Sequence, residues 1–362
     1  MPKDVPVPEA AGIDASWLTS VLIASAAAPS EARVVAMRPV RLPGGKLART
    51  IRFLLTWADD DSRGPASLIG KFPADGARSQ QTGQATDAYA LELAFYRLIA
   101  PTAQVAVPRC HFAGIDPATG RFALILDDIG SARKVDQVAG ATADEVAAAL
   151  VEVSRLHAQY WAGERSESLR WVPLRAAPAN ARRLAAAYRL LYGRFLDRFG
   201  GRLSDRAAGM IERFDTVIRR WSSHDDPPYT LLHGDYRAGN LLFGSDAVSP
   251  PVTVLDWQNL GIGSGVSDVA YLIGGSLPID TRRNREEELL AAYLGALSAN
   301  GVVINDREYR NAYRVNALTG LHMTVVSAML VDGGADSDEL FVTMAERHAA
   351  HADDVNAQGA LT

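Results

Sequence analysis

The chain changes its hydrophobic period once, near Gly130, and that change does most to limit what it can fold into. Before it the text is strand-like: Arg33–Val40, a Pro43-Gly44-Gly45 turn, Thr50–Trp57, a polar Asp59-Asp60-Asp61-Ser62 loop, and Ser67–Phe72. Short apolar runs between such turns predict three antiparallel strands. Leu91, Phe95, Leu98 and Ile99 then share one face at helical spacing, with Pro101 ending the helix. Two further strands, Pro108–Ala113 and Phe122–Leu126, flank the turn Asp116-Pro117-Ala118-Thr119-Gly120. The expectation is a five-stranded antiparallel sheet with one inserted helix.

After Gly130 the text is helical. Thr142 and Glu145 stand in capping-box spacing ahead of Val146, Leu150, Val153, His157 and Tyr160. Later helices are expected at Ala179–Phe199, Asp205–Ser222, Asn284–Ala299, Arg307–Val331 and Ser337–His351, around a β island at Tyr229–Trp257 and before a frayed tail from Asp353. At the other end, Asp14 can cap a helix over about residues 14–28, whose Trp17, Leu18, Val21 and Leu22 make an apolar stripe. Asp4, Glu9 and Asp14 precede that stripe, which argues against a secretory signal. The class is α+β in two domains, 1–129 and 130–362, with Asp127–Gly130 as the hinge and the cleft between lobes as the expected ligand site.

Charge narrows the partners. Lys plus Arg number 37 against 42 Asp plus Glu, a formal charge of −5, and no basic run offers a track for nucleic acid or anionic lipid. No uncharged apolar run reaches the roughly eighteen residues that a membrane span needs. Cys110 is the single cysteine, so no internal disulfide forms, and a reducing, cytoplasmic setting is expected, with the thiol as a small buried hydrophobe. Nothing in the sequence fixes an oligomeric state.

The most informative stretch runs Leu231-Leu232-His233-Gly234-Asp235-Tyr236-Arg237-Ala238-Gly239-Asn240-Leu241-Leu242-Phe243, followed by Val252-Thr253-Val254-Leu255-Asp256-Trp257. Two apolar runs bracket a polar loop, so Asp235 and Asn240 lie in a connection between short strands and Asp256 ends the next one. Phosphoryl transfer from a nucleotide asks for this set: one carboxylate to orient a hydroxyl and accept its proton, an amide and a second carboxylate as hard oxygen ligands for Mg²⁺. Arg237, two places past Asp235, can lie on the same side of the loop and donate to a phosphoryl group, or bridge to a carboxylate such as Asp256.

These residues resemble those of the aminoglycoside phosphotransferase and choline kinase-like enzymes, distant relatives of protein kinases. His233, Gly234, Asp235 and Asn240 match an H-G-D-x-x-x-x-N catalytic loop, and Asp256-Trp257 stands where protein kinases carry D-F-G. Tyr236-Arg237 and Ser267-Asp268-Val269-Ala270-Tyr271-Leu272 are similar to a subgroup of ecdysteroid-kinase-like proteins and kinase-like domains fused to acyl-CoA dehydrogenases. The resemblance spans residues 30 to 300 and implies a two-lobed, protein-kinase-like fold. It implies a small-molecule kinase that uses ATP or GTP and Mg²⁺ to phosphorylate a hydroxyl, the alternative being a non-catalytic nucleotide-binding protein of the same fold. No A-P-E motif follows Asp256, which favours a small acceptor over a protein.

The same resemblance assigns Lys71 to the α- and β-phosphates and Glu92 to holding Lys71. It makes Leu124–Gly130, with Leu126 and Asp128, the hinge whose backbone faces the base, although the acidic pair there can instead cap the next helix. In place of a glycine-rich loop the chain offers only Gly44 and Gly45 for close approach to phosphate, where a plain hairpin turn serves as well. Asp268 is expected to fix the loop by accepting backbone N–H groups, His233 to anchor it and His157 to brace it. Trp161, Trp171 and Trp221 read as packing. Acceptor specificity is expected within Ser166–Arg202 and Val302–Asp336. An acidic pocket would go with a cationic aminoglycoside, and Asp332–Glu339 reads equally as a source of one or as a solvated loop.

Overall fold

In the computed structural model of the chain, residues 7–8, 12–43, 47–58, 64–116, 119–162, 169–224, 227–245 and 250–361 are described. Gly44 and Gly45, the expected phosphate-side turn, lie outside the described residues. The chain divides into two compact units, Met1–Thr102 with Val107–Ser131, and Ala103–Ala106 with Ala132–Thr362.

In the first unit Asp14 caps α1 (Ala15–Ala24) by accepting the Trp17 N–H at 2.7 Å, and Leu18, Val21 and Leu22 are buried. They pack on an antiparallel sheet of β1 (Val34–Leu42), β2 (Ala48–Trp57), β3 (Ser67–Pro73), β4 (Cys110–Ile115) and β5 (Phe122–Asp127), ordered β1-β2-β3-β5-β4. The pleat sorts the side chains. Phe53, Leu68, Phe72, Ala123 and Ile125 join the α1 residues in one core, each large apolar side chain contributing about 1.5–3 kcal/mol when fully buried. Lys71, out of phase with Leu68 and Phe72, faces the opposite side.

Two helices, where one was expected, separate β3 from β4: α2 (Ala77–Ala85) and α3 (Ala88–Ala94), the latter running on as a π-helical turn, Phe95–Ile99. α2 buries only Ser79 and Gly83, so it carries no apolar stripe to announce it. The expected face of Leu91, Phe95, Leu98 and Ile99 breaks at the π turn. Its i→i+5 bonds hold more residues per turn than an α-helix, so Phe95 and Ile99 stay buried while Leu98 turns out to 61% exposure.

The second unit comprises β6 (Arg133–Lys134), α4 (Ala143–Gln159), α5 (Pro178–Phe199), α6 (Asp205–Ser222), β7 (Tyr229–Leu232), β8 (Leu241–Phe243) and β9 (Val252–Val254). It continues through β10 (Gly261–Ser264), α7 (Val266–Ser276), α8 (Ile279–Ala299), α9 (Asp306–Leu330) and α10 (Ala335–Asp354). The capping box forms: Thr142 Oγ1 accepts the Glu145 N–H and the Glu145 carboxylate accepts the Thr142 N–H. β8 lies between β6 and β9, and β7 pairs with β10. α7 was not expected, because every residue but Ser267 is buried and no polar side sets a helical period. Nor does the tail fray at Asp353. α10 reaches Asp354, Arg314 donates to the Val355 and Asn356 carbonyls, and Ala357 is fully buried. Among the described residues no helix is long and apolar enough to cross a membrane.

Candidate active site

β7 ends at Leu232, and the chain turns through His233-Gly234-Asp235-Tyr236-Arg237 into a 3-10 turn, Ala238–Asn240, ahead of β8. Gly234 has φ of 79°, and a Cβ there would stand 2.1 Å from the Asn259 carbonyl oxygen, so the position requires glycine. Asp268, in the first turn of α7, accepts the His233 N–H on Oδ2 at 2.7 Å and the Gly234 N–H on Oδ1 at 2.9 Å. His157 Nε2 lies 3.4 Å from the same Oδ2, and its Nδ1 lies 2.7 Å from the Tyr293 hydroxyl. Burial opposes the charge of Asp268, yet the bond from His157 and the Gly234 N–H hold its pKa below the ordinary carboxylate value.

His233 completes the frame. Its Nε2 donates to the Leu255 carbonyl at 2.7 Å while its Nδ1 accepts the Asp235 N–H at 3.2 Å, so one neutral tautomer serves both bonds. Gln137 Oε1 accepts the Gly239 N–H at 2.7 Å, Ser276 Oγ accepts the Ala238 N–H at 3.0 Å, and the Tyr236 hydroxyl donates to the Ala149 carbonyl. The bracing expected of Asp268, His233 and His157 is what these bonds provide.

Inside the frame, Asn240 Nδ2 donates to both the carbonyl and Oδ2 of Asp235, each at 2.9 Å. Arg237 Nε lies 3.3 Å from Asp235 Oδ1. Burial first, then the Asp235 charge, raises the Tyr271 phenol pKa well above its ordinary value. Burial works against the Arg237 cation too, but the charges of Asp235 and Asp256 leave its pKa raised. The Asn240 carbonyl accepts the Leu255 N–H at 2.9 Å, which sets Asn240 beside the residue preceding Asp256.

Asp256 has φ 63° and ψ 62°, the left-handed region that aspartate tolerates better than most residues. A non-glycine residue there costs on the order of 1–3 kcal/mol and is held by its surroundings, often at functional sites. Trp257, fully buried with its ring 4.7 Å from His233, is part of that hold. With its amide nitrogen committed to Asp235, Asn240 has Oδ1 left as a ligand atom, and Oδ1 and the Asp256 carboxylate are oxygens of the kind that could hold a hard cation. Among the described residues no three His, Cys, Asp or Glu side chains gather round a common point. Mg²⁺ held by two protein oxygens, with phosphates and water for the rest, needs no such cluster.

In the first unit Lys71, paired along β3 with Thr50 of β2 and Leu124 of β5, donates from Nζ to Glu92 Oε1 at 2.5 Å, and both residues are buried. Leu126 is buried in β5 opposite Ile69. Asp127 meets His111 Nε2 at 2.7 Å, and the Asp128 carboxylate accepts from Arg52 Nη2 at 2.9 Å and Ser67 Oγ at 2.7 Å. The acidic pair is thus tied to its own sheet, and capping of a following helix is not its role.

Within the second unit a cavity of about 100 Å³ opens beside the loop, with Arg175, Leu184, Trp221, Leu232, Gly234 and Tyr271 in its wall. Arg175, Tyr271 and Gln137 were given no role from sequence. Tyr271 falls within the stretch Ser267–Leu272, yet no spacing rule ties it to Asp235.

A family model, that of the phosphotransferase enzyme family (APH), matches residues 51–311, more than two-thirds of the chain. No curated protein matches it. Choline kinase from Cryptosporidium parvum is similar in structure, with TM-score 0.60 and 9% identity over 94% of this chain and 96% of that one. A candidate aminoglycoside phosphotransferase of Ralstonia eutropha gives TM-score 0.54 and 16% identity over 93% and 98% of the two chains. The GDP complex of an aminoglycoside 2′-phosphotransferase variant gives 0.53 and 14% over 95% and 99%. At such identities the likeness is one of fold, the α+β, protein-kinase-like fold expected from the sequence.

Proposed function

The chain belongs to the phosphotransferase enzyme family, and on that premise we propose that it transfers the γ-phosphate of ATP or GTP, with Mg²⁺, to a hydroxyl of a small molecule. The observation that carries this reading is the hold on Asp235. Its carboxylate is turned by Asn240, and its loop is braced by Asp268, His233 and Gln137. A carboxylate pre-set in this way needs no reorganisation when it takes a proton.

In the proposed step the acceptor oxygen bonds to the γ-phosphorus as the bond from that phosphorus to the β–γ bridging oxygen breaks. The hydroxyl proton passes to a carboxylate oxygen of Asp235, and the nucleoside diphosphate leaves with the bridging oxygen and its electron pair. Arg237 donates to the oxygens of the group in transit. Lys71, steadied by Glu92, is assigned to the α- and β-phosphates, and the backbone from Leu126 to Asp128 to the base. Asn240 and Asp256 would hold Mg²⁺, which when bound offsets phosphate charge and orients the transferring group. Choline and aminoglycosides, named for fold neighbours, both carry hydroxyls, which supports an alcohol acceptor. A nucleoside triphosphate donor suits the cytoplasm.

The test is transfer of γ-label from ATP or GTP with Mg²⁺ to a panel of amino alcohols, sugars, sterols, aminoglycosides and hydroxy acids. The label should appear on an acceptor, one nucleoside diphosphate forming for each. Nucleotide binding with no turnover would instead support the non-catalytic reading.

A further inference from the structure

Besides the phenols of Tyr229 and Tyr271, the ionisable side chains that line the cavity are Arg175, His224 and Asp268. Asp268 is spent, since each carboxylate oxygen already accepts a loop N–H and His157 sits at Oδ2. Arg175 differs. Among the described residues its side chain has one hydrogen-bond acceptor, the Asn259 carbonyl, 2.6 Å from Nη2, and four of its five N–H groups remain to be used.

Its seat is built into the backbone. A Cβ at Gly261 would stand 2.6 Å from Arg175 Nε, and one at Gly234 would stand 2.2 Å from Nη2, so these glycines make room for the guanidinium. Burial lowers the Arg175 pKa, with the Asp268 and Asp235 charges opposing that shift, and a guanidinium keeps its charge at any working pH. A seated cation with unused donors, among Leu184, Trp221, Leu232 and Val315, favours an anion over a second cation. The one acidic residue of the wall, Asp268, is committed to the loop, and of the acidic residues nearer the chain's end Asp338 pairs with Arg198 and Glu339 with Arg202, and neither lines the cavity.

We propose that the cavity takes the acceptor and that this acceptor is a small hydroxy acid, its carboxylate paired with Arg175 and its hydroxyl directed to Asp235. The inference rests on the phosphotransferase reading. The wall includes Gly234, next to Asp235 in the chain, and Tyr271, whose phenol lies in the field of the Asp235 carboxylate. A volume of about 100 Å³ is roughly two-thirds of a cavity that takes up benzene, so the enclosed part of the acceptor is a few carbons and the carboxylate. The products are the phosphate monoester of the hydroxy acid, its carboxylate unchanged, and the nucleoside diphosphate.

The experiment compares 3-hydroxybutyrate and glycerate with their own amides, and with choline, in the γ-label assay. Each acid should have kcat/KM at least about tenfold above its amide, the loss expected for one charge-assisted pair. Arg175→Gln keeps an amide donor for the Asn259 carbonyl and lacks the charge, so it should bring the acid-to-amide ratio towards one. Arg175→Lys should restore part of it. Because the ratio is taken on one sample, it does not depend on how much of a variant is folded. Transfer to amides or choline at least as good as to the acids, or a ratio unchanged in Arg175→Gln, overturns the inference and leaves the phosphotransferase reading standing. Label on other members of the wider panel and on neither acid overturns the inference alone, whereas label on no member of the panel, with nucleotide bound, removes the phosphotransferase reading and the inference with it.

Discussion

Arg237 lies among carboxylates, 3.3 Å from Asp235 and within the field of Asp256, and their charges keep the guanidinium ionised against its burial. Take it away and both carboxylates face an incoming triphosphate without relief. Arg237→Ala is therefore expected to lower kcat at least about tenfold, or ~1.4 kcal/mol, with a smaller change in nucleotide affinity, and Arg237→Lys to recover part. Single-turnover rates decide it: an alanine variant that transfers as fast as the parent puts the side chain outside the reaction. At this scale the sequence was most legible where chemistry is contiguous. His233, Asp235, Asn240 and Asp256 fall within one short stretch, and the loop-bracing of Asp268 could be read with them. Gln137 and Arg175 could not, because their partners are 102 and 84 positions away and only the folded chain brings them together.

Among the elements, α7 carries the most. Asp268 and Tyr271 are three residues apart on it, so one helix both braces the loop and sets a buried phenol in the field of the Asp235 carboxylate. The Tyr271 ring stacks on His348 of α10 at 5.1 Å, and His348 in turn fills the space over Gly320 of α9, where a Cβ would meet the imidazole at 2.1 Å. Gly320→Ala should therefore overpack this layer and cost about 1–3 kcal/mol, read as a lowered Tm, with kcat falling as His348 is pressed onto Tyr271. An unchanged Tm would mean that the layer has slack. The helices announced by a cap were legible at their starts, α1 through Asp14 and α4 through Thr142 and Glu145. α7 and α2 were not, since one is apolar on nearly all sides and the other on none.

For the whole molecule, acid should be the weak point. Burial lowers the pKa of His322, His348 and His351, that of His322 to about 4. A histidine that titrates near 6.5 unfolded and near 4 folded binds fewer protons in the folded state. Its contribution to stability is thus complete above about pH 6.5 and falls as pH drops towards 4, by up to about 3 kcal/mol for His322. Asp268 and Glu286, with pKa values held low, also lose stabilisation as pH falls. Tm should decline from pH 7 to pH 4, and less steeply in His322→Gln, which keeps a donor for the Leu184 carbonyl; parallel slopes would place the lability on other groups. The central claim is that Asp235 takes a proton from a small-molecule hydroxyl as the γ-phosphate moves to it. Single-turnover transfer from γ-labelled nucleotide, in the parent and in Asp235→Asn, tests this most directly. The account predicts Mg·nucleotide affinity within a few-fold of the parent and label transfer slower by about 10²–10⁴-fold, whereas an asparagine variant that transfers at the parent's rate would contradict it.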